Sequence, residues 1–305
     1  MAGMAGANGQ CQNRAVLDQW HPVGAVDEAE PNVVHVTRLL GESISFAVTP
    51  EGRSAAWRTR RDLPAGMPVD PESVTGTLPS RCEFLYVWTS LGDPPEGSFH
   101  IPEFFEPDRR NFNACTLGVY TSAPRAVENF LDMGHFPCVH DGYLGSEPRT
   151  EVVDYNVHVD GDTNEIWATE CQFWQPAASA SATGGQMVEY IYRIMQPYSI
   201  LLYKSCPAAP ERMDLIGLFV QATSEEHCRG HMFLSLIDDE SSVGLIRRFV
   251  QTIFAQDLPI IENQNPKRLP LDPQAETPIR SDRASILYRR WLSDLGVTYG
   301  VIPAA

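Results

Sequence analysis

The stretch ENFLDMGHFPCVHDG, residues 128–142, places His135 and His140 five positions apart, with Asp132 three positions before the first. The chain has eight histidines in 305 residues, so two in one short segment is a local concentration of ligand-capable side chains. Neutral imidazole is the commonest protein ligand for transition metals. Two imidazoles and one carboxylate on one side of an ion leave its other positions open, which is the donor set of non-haem Fe(II) sites that handle oxygen. Residues five apart on an α-helix are about 140° out of register, so the two histidines converge only if the helix ends between them. Pro137 predicts that break, because it biases Phe136 away from helical geometry. Asp132, three positions before His135, shares its helix face and can hold the ring in one tautomer.

A third ligand has to come from elsewhere. FAQDLPIIENQ puts Asp257 in an otherwise apolar helical stretch, where an unpaired carboxylate is costly and a metal is one partner that relieves it. Glu262 is the competing carboxylate. The same spacing also suits an ordinary helix end with two satisfied histidines, and Asp257 at a kink facing solvent. The remaining histidines, His21, His35, His100, His158, His227 and His231, sit in or beside strand-like segments; most are expected to be half-buried or on the surface.

The elements that must carry these residues follow from patterning. APRAVENFLDMGHF, with Val127, Phe130, Leu131 and Met133 as its apolar set, predicts a helix with Pro124 in its first turn. Six strand-like segments follow: EVVDYNVHVD, NEIWATECQFW, MVEYIYRIM, YSILLYKS, DLIGLFVQAT and HCRGHMFLSLI. With short Gly, Asp or Pro turns they predict an antiparallel meander. DDESSVGLIRRFVQTIFAQDLPIIENQN predicts a long helix with a Leu245, Phe249, Ile253, Phe254 stripe, kinked or ended by Pro259. SDRASILYRRWLSDLG predicts a last helix with a Ser or Asp cap, stopping at Gly296. Before residue 105, WHPVGAV, NVVHVTRLL, ISFAV and FLYVWTSLG read as short strands, separated by a long loop over 52–81. The expected fold class is α+β in three parts. Residues 1–15 are a flexible tail, 16–105 a small all-β domain, and 106–305 an antiparallel sheet wrapped on a long C-terminal helix, a helix-grip-like catalytic domain.

Composition narrows the partners. The formal net charge is −16 and the pI about 4.8, a balance that repels phosphate backbones and argues against nucleic acid. No run of about 18 apolar residues predicts a membrane span, and the N-terminus lacks the basic and apolar regions of a secretory signal. The seven cysteines are scattered with no C-x-x-C pair, which predicts reduced thiols in a cytoplasmic protein.

ENFLDMGHFPCVH resembles the iron-binding segment of the catalytic α subunits of Rieske-type non-haem iron oxygenases. The resemblance implies mononuclear Fe(II) on His135, His140 and Asp257, with Asp132 on the electron route and Asn129 beside the iron. DQWHPVGAV and TRLLGESISFAV look like the start of that family's Rieske domain, and the resemblance runs over roughly residues 16–295. One departure is large. A Rieske [2Fe–2S] cluster needs two thiolates and two imidazoles, yet residues 52–82 contain no histidine and only Cys82. No [2Fe–2S] cluster is expected in this chain, and 16–105 is expected to be a degenerate Rieske-like domain.

Within the family the chain is similar, around WHPV, FFEPDRR, LGSEPRTEVV, YIYRI, PYSILLYK, QTIFAQDL and PKRLPL, to the cluster-lacking N7-demethylase type of bacterial caffeine breakdown. That similarity implies a monooxygenase converting 7-methylxanthine to xanthine and formaldehyde with O2. NADH would be used indirectly, through a separate reductase that carries a Rieske domain. It also implies trimer-based assembly and an additional structural subunit as a partner. Aromatics of the meander and Asn263 or Gln264 are expected to read the purine edge, whereas for Trp167 and Trp174 packing is the expected role. The alternatives are an O- or N-demethylase or hydroxylase of another small aromatic, a non-catalytic subunit of an oxygenase complex, and a small-ligand binding module.

Overall fold

Alternation of burial along one strand shows how the main sheet is built. In Ile166–Gln175, every second side chain is buried for most of the strand's length, as expected for a strand with one face on a core. The computed structural model describes residues 10–304 apart from 98, 181, 183, 207, 208 and 238–240. In chain order the N-terminal strands are β1 (His21–Ala25), β2 (His35–Leu39), β3 (Glu42–Val48), β4 (Ser54–Arg58), β5 (Ser80–Glu83) and β6 (Tyr86–Thr89), preceded by a short helix α1 (Arg14–Leu17). They form two three-stranded sheets, β1-β6-β5 and β2-β3-β4.

The larger part comprises β7 (Arg110–Val119), α2 (Ala123–Leu131), α3 (Phe136–Val139), β8 (Asn156–Val159), β9 (Ile166–Gln175), β10 (Gln186–Gln196), β11 (Ser199–Ser205), β12 (Met213–Ala222) and β13 (Cys228–Leu236). It ends with α4 (Val243–Ile261), β14 (Leu269–Pro270), α5 (Arg283–Asp294) and β15 (Val301–Ile302). Strands β7 to β13 make one seven-stranded sheet, ordered β7-β13-β12-β11-β10-β9-β8 and antiparallel at every pairing. The class is mixed α and β with mostly antiparallel sheet.

The six expected strands of the meander are all present as β8 to β13. The seventh, β7, escapes a periodicity argument because RNFNACTLGV mixes Asn, Cys and Gly into its alternation; it is recruited by pairing along the length of β13. Likewise β4 interrupts the expected 52–81 loop, a five-residue strand too short to show a period. Residues 10–15 are not a loose tail: Cys11 is buried and its N–H donates to the Leu40 carbonyl. The expected tail over residues 1–9 lies outside the described residues.

An aromatic cluster joins the N-terminal sheets to the large one. Trp88 of β6 and Phe99 lie 5.1 Å and 5.7 Å from the ring of Phe219 on β12. Helix α4 crosses the sheet beside β7, where Arg247 and Gln251 donate to the carbonyls of Asn113 and Ala114. Ser122 and Ser242 cap α2 and α4 by accepting from the backbone N–H three residues on, as N-cap serines do. Pro259 does not end α4, which runs through to Ile261. Proline removes only one N–H, and so near a C-terminus little helix remains to be lost.

Candidate metal centre

The chain between α2 and α3 brings His135 and His140 together. Helix α2 stops at Leu131, and Asp132 is extended, with φ −81° and ψ 119°. One oxygen of Asp132, Oδ1, accepts from the Gly134 N–H at 2.7 Å, a local bond that competes with helix continuation. The break therefore precedes both histidines instead of falling between them. Asp132 meets His135 across a turn, not along a helix face. His135 then leads into α3, with Pro137 in its first turn, and His140 caps its end. One helical turn with rings at its two ends lets side chains five residues apart point at one spot.

Gly145 holds that turn close. A Cβ there would lie 2.7 Å from the Pro137 nitrogen and 2.8 Å from its Cα, so only glycine lets the returning chain pass α3 at this distance.

The rings face each other. Nε2 of His135 and Nε2 of His140 are 3.1 Å apart. Asp257, from the last turns of α4, places Oδ1 3.4 Å from the first and 3.2 Å from the second. These three side chains form a group able to hold a metal ion, with donor atoms within 4.8 Å of one another. Glu262, the competing carboxylate, instead accepts from the Tyr120 N–H.

The outer ring nitrogens are taken, which leaves the inner ones as the candidate ligand atoms. Nδ1–H of His135 donates to Asp132 Oδ2 at 3.1 Å, and Nδ1–H of His140 donates to Gln256 Oε1 at 3.0 Å. With both protons directed outward, neutral imidazoles present bare Nε2 atoms to each other. Asp257 Oδ1 is likewise buried without a hydrogen-bond donor. Three lone-pair donors at such separations repel unless a cation lies among them, so the residues fit a metal. With no metal present, a proton serves as that cation: burial pulls His135 down, but the carboxylates of Asp132 and Asp257 beside it outweigh that and raise the ring to about 9. Burial pushes Asp257 up, and the two histidines more than reverse that, to about 2. The centre favours positive charge.

A cavity of about 110 Å³ opens onto the three donors. Its walls are mainly apolar, with Phe130, Leu202, Ile216, Met232 and Phe254 among them, and Asn129, Tyr190, Tyr192 and Lys204 supply its other polar groups. A second cleft of about 230 Å³ is lined by Asp132, Asn129, Arg125, Glu276 and Gln264. Asp132 thus touches His135 at one end and an open cleft at the other. The end of α2 is held by ion pairs: Arg125 reaches Glu276 at 2.5 Å, and Arg289 of α5 reaches Glu128 at 2.5 Å.

Other expectations need correction. Asn263 and Gln264 do not line the metal cavity: the Asn263 amide donates to the Pro259 carbonyl, and Gln264 borders the second cleft. His21 and His231 are fully buried, not surface residues. Burial drops them to about 4 and about 3, and they bond the Val16 carbonyl and the Thr116 and Gln221 side chains. His35, His100, His158 and His227 are half-buried or exposed, as expected. Trp167 and Trp174 lie under Arg193 and Arg149, away from the cavity. Gln256 was missed: nothing marks a glutamine on this helix until His140 is found against it.

Two imidazoles and a carboxylate beside an apolar cavity form the donor set used by metal-dependent oxygenases. The comparisons with known proteins give the family. Residues 119–297 match the vanillate O-demethylase oxygenase C-terminal domain. The chain is 41% identical over 289 residues to a protein of Pseudomonas sp. (strain TJI-51) described as a probable methylxanthine N7-demethylase, NdmC, covering 95% of this chain and 98% of that one. It is 25% identical to the methylxanthine N3-demethylase NdmB of Pseudomonas putida, over 75% of this chain and 63% of that one. The chain belongs to the Rieske-type oxygenase family that contains these methylxanthine demethylases. Solved structures share the fold. Pseudomonas putida CBB5 NdmA with caffeine superposes with TM-score 0.73 at 19% identity, over 92% of this chain and 91% of that one. Dicamba monooxygenase bound to dicamba gives 0.70 at 17%, over 92% and 97%. Among the described residues no helix is long and apolar enough to cross a membrane.

Proposed function

We propose that this chain is the oxygenase component of an N-demethylase that removes the N7-methyl group of 7-methylxanthine, with mononuclear Fe(II) on His135, His140 and Asp257. The observation that carries the reading is the convergence of those three donors with both Nδ1–H groups directed outward. A non-catalytic subunit has no need for three ligand-capable side chains gathered at one point.

Iron bound by these residues supplies O2 binding and activation next to the substrate. The chain does the rest. Asp132 and Gln256 fix the tautomer and orientation of the two rings. The cavity walls exclude water and hold a planar ring against the donors. Insertion of one oxygen atom into a C–H bond of the N-methyl group gives an N-hydroxymethyl compound. Its C–N bond breaks to return N–H and release formaldehyde, while two electrons and two protons reduce the other oxygen atom to water. Those electrons come from NADH through a separate Rieske-domain reductase. The cleft beside Asp132 suits its docking, because Asp132 is one side chain from a ligand histidine, with Asn129 bordering both cleft and cavity.

In this reading residues 16–105 are a cluster-free Rieske-like domain and 106–305 the catalytic domain, a helix-grip arrangement. The protein is cytoplasmic and assembles on a trimer, with room for an additional structural subunit. The test is turnover of 7-methylxanthine by Fe(II)-loaded protein with NADH and a Rieske-domain reductase, measuring xanthine and formaldehyde in equal amounts. Uncoupled NADH oxidation without either product sinks the assignment, and product from a different aromatic alone would replace the substrate.

A further inference from the structure

The apolar cavity beside the metal ligands is lined by two residues whose polar groups the protein leaves under-used. The hydroxyl of Tyr192 is buried with no hydrogen-bond partner, and its residue is only 1% exposed. Buried hydroxyls are normally bonded, since an unpaired one has given up its water for nothing. The ring is held in place: Phe130 meets it edge-on at 6.3 Å and Tyr190 lies at 6.0 Å. The second group is Lys204. Its ammonium donates to the Ala178 carbonyl and has no carboxylate within 4.0 Å among the described ion pairs. Asp214, its register partner on β12, is close enough to act on it only through space. An ammonium has three donors, so two remain.

Lys204 and Tyr192 stand on adjacent strands of the same sheet face, β11 and β10, with Leu202 and Ile216 around them. Burial of this lysine lowers it to about 8, a cost that an acceptor in the cavity would relieve. We propose that Lys204 and Tyr192 are the specificity-determining donors of the cavity, taking the ring-carbonyl oxygens of a planar dione and so fixing which methyl group faces His135, His140 and Asp257. This inference rests on the methylxanthine reading for its substrate and on the cavity alone for its chemistry. A hydrocarbon ring would leave both donors unpaired. A ring with two carbonyls satisfies them and is oriented by them, and sites that hydrogen-bond a substrate discriminate strongly against analogues lacking the acceptor.

The experiment is binding to the Fe(II)-loaded full chain under anaerobic conditions, by calorimetry, for wild type, Lys204→Met, Lys204→Arg and Tyr192→Phe. The probes are 7-methylxanthine and benzoate. For 7-methylxanthine, Lys204→Met is expected to weaken binding tenfold or more and Tyr192→Phe several-fold, with partial rescue by Lys204→Arg. Iron content and melting temperature are expected to be unchanged or, for Lys204→Met, higher. In turnover the loss is expected in KM, with kcat within about twofold, and a fraction of product from the wrong methyl when a dimethylxanthine is supplied. Wild-type affinity in both Lys204→Met and Tyr192→Phe overturns the inference and leaves the demethylase reading standing. Binding of benzoate but not 7-methylxanthine, lost in Lys204→Met, overturns the purine reading while Lys204 remains the acceptor-reading residue. No binding of either probe by wild type overturns both.

Discussion

Nε2 of His135 lies 3.1 Å from Nε2 of His140, and each ring's other nitrogen donates to a different side chain, Asp132 and Gln256. The pair is a preset donor arrangement: the protons point outward into fixed acceptors, and the lone pairs point inward. Asp257 adds a buried oxygen with no donor of its own.

Removing any one donor should therefore cost the metal. His135→Ala, His140→Ala and Asp257→Ala are each expected to fall from about one iron per chain, the occupancy of a mononuclear site, to a small fraction. Fe(II) should raise the melting temperature of wild type but not of these variants. Iron measured on anaerobically purified protein checks it, and stoichiometric iron in all three would remove these residues as ligands.

In the proposed reading Asp132 acts through His135, which it contacts at 3.1 Å. Asp132→Asn keeps a hydrogen-bonding side chain but not the charge, and Asp132→Ala removes both. Both are expected to retain most of the iron while turnover falls by roughly 10–100-fold. Iron content and single-turnover rate, measured on the same sample, separate loss of metal from loss of activity.

Gln256→Leu releases the Nδ1–H of His140 into an apolar surround. The expected result is iron affinity weaker by about tenfold, with Gln256→Glu restoring it because a carboxylate accepts the same proton. A competition titration with a chelator reads the difference, and equal affinity in Gln256→Leu counts against an orienting role.

Gly145→Ala puts a methyl group into the backbone of Pro137, where the contact would be under 3 Å. Backbone cannot move aside as a side-chain tip can, so α3 must shift. A destabilisation of about 1–3 kcal/mol is expected, with iron lost in proportion as His135 and His140 part. Gly142→Ala, at φ +79° but with open space around its Cβ, should cost about 1 kcal/mol and keep the metal. Chemical denaturation and iron content distinguish the two.

The ion pairs behind α2 predict an acid-sensitive element. Burial tends to raise the Glu276 carboxyl, but bonds from Arg125 and Arg289 hold it at about 2 against an ordinary 4.5. A carboxyl depressed on folding stabilises the fold above its unfolded value and loses that contribution as pH falls through the folded one. Glu276→Gln should thus lower the melting temperature at pH 7, and the gap from wild type should close between about 4.5 and 2. A constant gap across that window would mean that the charge of Glu276 is not what holds α2 to α5.

Much of this was legible in the chain. Patterning marks the six meander strands and the helices because each buries one face, and burial of one face imposes a period that a single sequence displays. His135, His140 and Asp132 stand out because their types and spacing are chemical, and Asp257 because a carboxylate in an apolar helix needs a partner. β7 and β4 left little trace. Their place is set by pairing with another strand, and hydrogen bonds between backbones carry no side-chain signature.

What only the tertiary structure decided is where things meet. The helix break falls at Asp132 because that carboxylate bonds Gly134, a competition between local bonds that spacing alone assigned to Pro137. Gln256, Lys204 and Tyr192 are of types that carry no signal of their own in sequence, even with Gln256 next to Asp257. They become part of the site because α4, β11 and β10 bring them within reach of His140 or of its cavity. Composition and spacing determined which chemistry the chain carries, since a donor set is a matter of residue type. The selection of substrate is a matter of distances across a cavity, and those exist only once strands far apart in sequence lie side by side.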